Sequence, residues 1–186
     1  YQSNFFDSTA LSGNVIWSIF KDSDGDIWVG TDKGIDQYIY GLDQFNRYDL
    51  GSKPINVIQD ETDGSIIIAS ENTGLHFINK IDGSKQSFKN DPNDGFSISS
   101  NSFSMNQHNP IAIDELGNIW VATDNGLNYY RKDKDIFTRF NQREGLSGNK
   151  INTLMAKGDF IYVGSSKGLD RVNIKSFNIE KLSGNV

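Results

Sequence analysis

The chain has no cysteine, so disulfides and thiolate metal sites are excluded. That absence suits an oxidising compartment and suits the cytosol nearly as well. Basic residues are the minority: 18 Lys and Arg against 24 Asp and Glu leave a formal charge of −6. No basic stripe is available to track a phosphate backbone, and no nucleic-acid partner is expected. No run approaches the roughly 18 to 20 consecutive apolar residues of a membrane-spanning helix, so this segment is expected to make no membrane contact. A signal peptide is also missing, but the chain opens at Tyr1 without Met, which leaves room for an upstream segment. The two histidines, His76 and His108, have no paired ligand spacing, and no metal site is expected. There is no Gly-x-Ser-x-Gly elbow, phosphate loop or fixed carboxylate pair. No catalytic residue and no cofactor follow from such a sequence.

What is present is turn-rich and apolar. Eighteen glycines stand against three prolines, with 36% apolar and 12% aromatic residues over 186 positions. This is an all-β profile, long enough to bury a core. One pattern recurs four times: turn, three apolar residues, a small residue, a hydroxyl, a polar pair, Gly and an aliphatic. Its first apolar residues are Ile27, Ile66, Ile119 and Ile161, spaced 39, 53 and 42 apart. Such periods, built from short strands, point to propeller blades. Helical repeats are disfavoured, because no segment holds an apolar stripe at helical spacing over three turns.

Each repeat reads as four strands. The first is Ile16–Ile19, matched by Ile55–Ile58 and Ile151–Leu154, and a tight Asp-Gly or Gly-Asn turn follows. The second holds Ile27–Val29 and its equivalents, continuous apolar runs that suit a strand buried on both faces. Trp28 and Trp120 are expected at equivalent places, packed between blades. Gly30, Ala69, Ala122 and Gly164 keep one position small for an adjacent blade's aromatic, and Gly34, Gly74, Gly126 and Gly168 supply a left-handed turn residue. The fourth strand carries an aromatic pair, Phe45 with Tyr48 and Phe137 with Phe140, with Phe177 equivalent and only Phe88 kept in the second repeat. The repeats span about 11–50, 51–90, 99–141 and 146–181.

The stretch Asp24–Thr31, the following Gly34-Ile35 and the segment Leu146–Ile151 resemble the two-component regulator propeller repeat. The resemblance covers nearly the whole chain. It departs from the pattern where Ile67 and Tyr162 replace Trp and where Thr73 is inserted before Gly74. It implies seven-bladed propellers in the periplasmic sensor region of hybrid two-component systems of Bacteroidetes, which recognise glycan-derived ligands and signal to a histidine kinase. It thus implies a non-catalytic sensor segment with an oligosaccharide partner. Two alternatives stand beside it: a propeller lyase or glycosidase with its site on the channel face, and a purely structural scaffold.

Two places invite a site. Asp22, Asp24 and Asp26 open like a calcium loop, but the run enters a strand at Ile27 and Lys33 occupies the twelfth position, so a hairpin turn is the reading. The third repeat is lengthened by a segment of roughly Asp91 to Met105. It is expected to leave the blade as a loop, and His108-Asn-Pro-Ile111 replaces the apolar first strand. There Asn101, Asn106, Gln107 and His108 form the candidate ligand-binding patch, beside exposed Phe96 or Phe103. Phase at the ends adds an expectation. Leu11-Ser-Gly-Asn recurs at Leu146 and again at Leu182, announcing a following blade, while 1–10, with Asn4-Phe5-Phe6, read as the outer strand of a preceding one. The chain is therefore read as an incomplete arc, its bare blade faces covered by neighbouring blades or by a second copy of the chain.

Overall fold

The computed structural model describes residues 1–51, 54–61, 63–103 and 109–182. Among them there is no helix, and sixteen strands form four antiparallel sheets of four consecutive strands each. The first sheet holds β1 (Ile16–Lys21), β2 (Ile27–Thr31), β3 (Ile35–Ile39) and β4 (Gln44–Tyr48). The second holds β5 (Ile55–Asp60), β6 (Ser65–Ser70), β7 (Gly74–Asn79) and β8 (Lys85–Phe88). The third holds β9 (Ile111–Ile113), β10 (Ile119–Thr123), β11 (Gly126–Arg131) and β12 (Ile136–Phe140). The fourth holds β13 (Ile151–Lys157), β14 (Phe160–Ser165), β15 (Gly168–Asn173) and β16 (Ile179–Lys181). These are β-propeller blades. Two compact units contain them, Tyr1–Ser87 and Phe88–Val186.

Register repeats from blade to blade. Ile19 pairs with Val29, Ile58 with Ile68, Ile111 with Val121 and Leu154 with Val163. A bulge interrupts the first strand at one place in three blades, between Ile16 and Ser18, Ile55 and Val57, and Ile151 and Thr153. Second strands are the core: Trp28 and Trp120 are fully buried, as their equivalence required. In the first unit Trp28 clusters with Ile35, Ile55, Ile58 and Ile66, so β2 of one blade covers β5 of the next. In the second unit Trp120 and Ala122 cluster with Ile151 and Leu154, the same interface repeated.

Three expectations are corrected. At Gly30 a backbone carbonyl, not an aromatic, makes the close approach: a Cβ there would lie 2.4 Å from the Ile55 oxygen and 2.2 Å from Ser18 Oγ. The repeated glycines Gly34, Gly74, Gly126 and Gly168 take positive φ, from 98 to 157°, as expected of a glycine-requiring turn. Phe177 is not on a strand. It sits in the turn before β16 at φ 59 and packs on Trp120, Tyr129 and Phe140, while Ile179 takes the Phe45 position opposite Val172. Asn4, Phe5 and Phe6 lie in a turn, with Phe5 and Phe6 exposed, rather than in a strand.

Candidate functional site

Strand alternation brings a polar cleft together in the first unit. Asn46 and Tyr48 are two apart on β4 and share a face, and Asn46 pairs with Gln37 on β3. The turn from β7 to β8 closes the other side with Lys80, Asp82 and Lys85, around a cavity of about 450 Å³. Gly83 makes that closure possible. Its φ is +69, a conformation that side chains rarely adopt, and a Cβ there would just touch the Tyr48 ring at 3.4 Å.

A hydrogen-bonded chain fixes the cleft. Asn46 Nδ2 donates to the Tyr48 hydroxyl at 2.9 Å, Tyr48 donates to Gln37 Oε1 at 3.2 Å, and Gln37 Nε2 donates to Asp26 Oδ2 at 2.9 Å. Burial pushes the Tyr48 phenol above its ordinary value, so it remains a donor at neutral pH. Lys80 is largely buried between three carboxylates: Asp24 at 2.5 Å, Asp60 at 3.1 Å and Asp22 at 3.6 Å. Burial opposes its charge, but the hydrogen bonds to Asp24 and Asp60 and the Asp22 and Asp60 charges outweigh it and raise the ammonium above the usual lysine value. The ammonium thus joins Asp22 and Asp24 of the calcium-like turn, which is a hairpin as the sequence suggested, to Asp60 of the next blade. Among the described residues no group of three or more His, Asp or Glu is arranged to hold a metal ion.

The lining suits recognition of hydroxyl-rich ligands. It offers two planar amides, a phenol and cationic donors, with Asp82 the lone carboxylate. Nothing in the sequence singled out this cleft, because its residues come from three separated turns and strands.

The patch read from the sequence is placed differently. Asn106, Gln107 and His108 lie outside the described residues. Asn101 Oδ1 accepts the Asn90 backbone N–H at 2.7 Å, as Asn14 Oδ1 accepts from Ser3 at 2.7 Å and Asn149 Oδ1 from Gln142 at 2.9 Å. Ile98-Ser-Ser-Asn101 is therefore a further copy of the Leu11-Ser-Gly-Asn14 segment, not part of an inserted loop. Ser99 confirms the equivalence: its N–H donates to Asn128 Oδ1 as Ser12 N–H donates to Asp36 and Ser147 N–H to Asp170. The added length falls after it, since ten positions separate Asn101 from Ile111 where five separate Asn14 from Ile19. Phe96 is exposed as expected, but Phe103 is 1% exposed and belongs to the core.

Sequence reasoning also missed a buried polar position two residues after each blade glycine: Asp36, His76, Asn128 and Asp170, all at most 2% exposed. Their types differ, which hid them. His76 bridges Thr73 and Ser87, at 2.9 and 2.8 Å, where the other blades use the serine of the linking segment.

Residues 10–33 match the two component regulator propeller family. No curated protein matches the chain significantly. Among solved structures, one similar chain is named as the extracellular domain of the hybrid two component system BT3049 from B. thetaiotaomicron, at TM-score 0.76 and 21% identity, over 94% of this chain and 25% of that one. The extracellular domain of BT4673 from the same organism is similar at TM-score 0.68 and 24% identity, over 97% and 26%. An auxiliary nutrient binding protein from Bacteroides ovatus matches at TM-score 0.57 and 11% identity, over 89% and 40%. The chain spans about a quarter of the length of the first two. At these identities the likeness establishes the propeller fold.

Proposed function

We propose that the chain is a non-catalytic segment of an extracytoplasmic, periplasmic sensor of the hybrid two-component type, which recognises a glycan-derived ligand and relays its binding to a histidine kinase. The observation that carries this reading is the two component regulator propeller match over 10–33, whose linking segment recurs with the same hydrogen bonds at Ile98 and Leu146. The names of the extracellular relatives point the same way. The polar cleft between β4 and the β7–β8 turn is the ligand site we favour, because its phenol, amide and ammonium donors match the hydroxyls of a sugar ring. Against catalysis stands the use of the carboxylates: Asp22, Asp36, Asp114 and Asp170 are buried and engaged by backbone, indole or hydroxyl donors within their own blades.

The test is titration of glycan fragments against the complete extracytoplasmic region, with reducing ends assayed in parallel. Saturable binding weakened by Asn46→Ala and Lys85→Ala, without turnover, is the expected result. Turnover would establish the enzyme reading instead, and absence of both binding and turnover across the panel would leave the scaffold.

A further inference from the structure

The turn that closes the cleft has a counterpart in the fourth blade. Gly83 N–H donates to the Asn79 carbonyl and Asn79 N–H to the Ser84 carbonyl, each at 2.9 Å. Phe177 N–H donates to the Asn173 carbonyl and Asn173 N–H to the Asn178 carbonyl, again each at 2.9 Å. Gly83 at φ +69 and Phe177 at φ +59 therefore hold one position in two copies of the same turn. The residues beneath them are equivalent too. Gln37 pairs with Trp28 and Tyr48 with Ile35 in the first blade, as Tyr129 pairs with Trp120 and Phe140 with Leu127 in the third. The Phe177 ring lies on Trp120, Tyr129 and Phe140, at centroid distances of 6.1, 5.3 and 5.6 Å. The matching seat in the first unit is Trp28, Gln37 and Tyr48, and Gly83 brings no side chain to it.

The rest of the closure changes in the same sense. Lys80 and Lys85 stand where the fourth blade has Ile174 and Ile179, one buried in an apolar cluster and the other packed against it. Asn46, opposite Gln37, stands where the third blade has Thr138, opposite Tyr129. The second unit thus fills this place with its own aromatic and aliphatic side chains. The first leaves a volume of about 450 Å³ there, bordered by Gln37, Asn46, Tyr48 and Lys85 among others. Among the described residues the Lys85 ammonium donates only to the Asp49 carbonyl, at 3.1 Å, which leaves two N–H groups for a ligand.

Given the glycan-sensor reading, on which this rests, we infer that the cleft is a subsite for one sugar ring and that Gly83 is the residue that holds it open. The sugar takes the place that the Phe177 ring fills in the second unit. A pyranose has the six-membered outline of a phenyl ring, with C–H groups to lie against Tyr48 and hydroxyls at its edge for Asn46 and Lys85. An aromatic side chain from a protein partner would match the outline but would desolvate those polar groups without pairing them.

Gly83→Phe in the complete extracytoplasmic region is the direct test, with glucose, galactose, mannose, xylose, glucuronate, cellobiose and lactose as probes in calorimetric titration. A sugar that binds the wild type should bind Gly83→Phe at least about tenfold more weakly. The thermal midpoint of the variant should stay near that of the wild type, because Phe177 already adopts this φ in the same turn. Gly83→Ala adds only a Cβ in contact with the Tyr48 ring at 3.4 Å. It should bind within about threefold of the wild type. If Gly83→Phe does not fold, Asn46→Phe fills the volume from β4 and should weaken binding to the same degree. A folded variant of either kind that binds as the wild type does would overturn the subsite and leave a glycan sensor with its site elsewhere. Gly83→Ala as damaging as Gly83→Phe would assign the effect to the turn backbone and overturn it as well. A wild type that binds none of the sugars would overturn the sensor reading and the subsite together.

Discussion

Asp22 Oδ2 accepts the indole N–H of Trp28 at 2.9 Å inside the first blade, and Asp114 does the same for Trp120 at 2.9 Å inside the third. Each carboxylate also ties its own hairpin turn: Asp22 Oδ1 accepts the N–H groups of Asp24 and Asp26, and Asp114 Oδ1 those of Leu116 and Asn118. The turn and the core residue six positions later are thereby fixed by one side chain. The partners explain how a polar indole edge is buried completely. Trp120→Ala should cost on the order of 3 to 5 kcal/mol. Asp114→Ala should cost about 1 to 3 kcal/mol or more by leaving buried donors unpaired. Chemical denaturation of the two variants against the wild type would check this, and a loss below about 1 kcal/mol for Trp120→Ala would contradict the packing described.

Asp36 occupies the same place as Asn128 but lacks its donors. Asn128 Nδ2 donates to the Val121 and Gly126 carbonyls, at 3.1 and 3.4 Å. Asp36 Oδ1 has no hydrogen-bond partner among the described residues, although Ser12 donates to Oδ2 through both its N–H and its hydroxyl. Burial raises the Asp36 pKa above its usual 3.8 in spite of the Ser12 hydrogen bonds and the Arg47 charge. The folded state therefore holds this proton more tightly than the unfolded chain. Its contribution to stability is complete below the unfolded pKa and is lost as pH rises through the folded one. Asp36→Asn should remove that dependence and make the first blade at least as stable as the wild type at neutral pH. Denaturation midpoints from pH 4 to 7 would show it, and a variant clearly less stable than the wild type at pH 7 would refute it.

Lys80 joins the β7–β8 turn of the second blade to the β1–β2 turn of the first. Lys80→Met would leave Asp22, Asp24 and Asp60 without their shared cation. The cost should be about 1 to 3 kcal/mol, less than for a fully buried pair because Asp24 is largely exposed. Burial alone would raise Asp60, but the hydrogen bonds from Ser23 and Lys80 hold it below its ordinary value. A depressed carboxylate stabilises the fold above its unfolded pKa and loses that contribution as pH falls through the folded one. Acid titration of the variant should therefore show a smaller loss of stability below pH 4 than the wild type, and equal losses would argue against the bridge.

The repeat and its strand order were legible because they rest on apolar runs and turn glycines, which follow from backbone geometry alone. Trp28 and Trp120 were placed in the core for that reason. The linking segment at Ile98 was not legible, since Ile replaces Leu and Ser replaces Gly, and only the Ser-x-Asn spacing remained as a signal. Mistaking it for loop displaced the expected patch and put Phe103 on the surface. The cleft around Tyr48 was beyond reach for a different reason: it depends on how far a hairpin turn thirty residues away leans toward β4. Local pattern carries no information about that distance.

Gly30 and Gly164 are equivalent in sequence but not in surroundings. A Cβ on Gly30 would meet the Ile55 backbone carbonyl at 2.4 Å and Ile55 Cβ at 2.9 Å, neither of which can move without shifting β5. On Gly164 it would meet Thr153 Cγ2 at 2.8 Å, the end of a side chain that can rotate. Gly30→Ala should cost roughly 1 to 3 kcal/mol through overpacking, and Gly164→Ala should cost less. A Gly164→Ala variant as damaging as Gly30→Ala would show that the smallness of the position serves the strand itself rather than the blade beside it.

Asn101 separates a structural from a ligand-binding use of the same side chain. Its Oδ1 holds the Asn90 N–H, and Asn90 Nδ2 in turn donates to the Ile98 carbonyl at 2.8 Å, so the segment from 90 to 101 is closed at both ends. Arg139 fastens the same segment, donating through Nε to the Ser97 carbonyl at 2.7 Å and through Nη2 to the Asp94 backbone carbonyl at 2.8 Å. In the first blade Arg47 holds Ala10 and Leu11 in the same way, at 2.6 and 2.8 Å. Asn101→Ala leaves a backbone N–H without its acceptor and should cost about 1 kcal/mol, within the usual worth of one hydrogen bond. Asn101→Asp keeps the acceptor oxygen and should retain most of the stability. If both variants bind glycan fragments as the wild type does, and only the alanine variant unfolds earlier, the residue serves the blade. Loss of binding in Asn101→Asp at unchanged stability would return it to the ligand site.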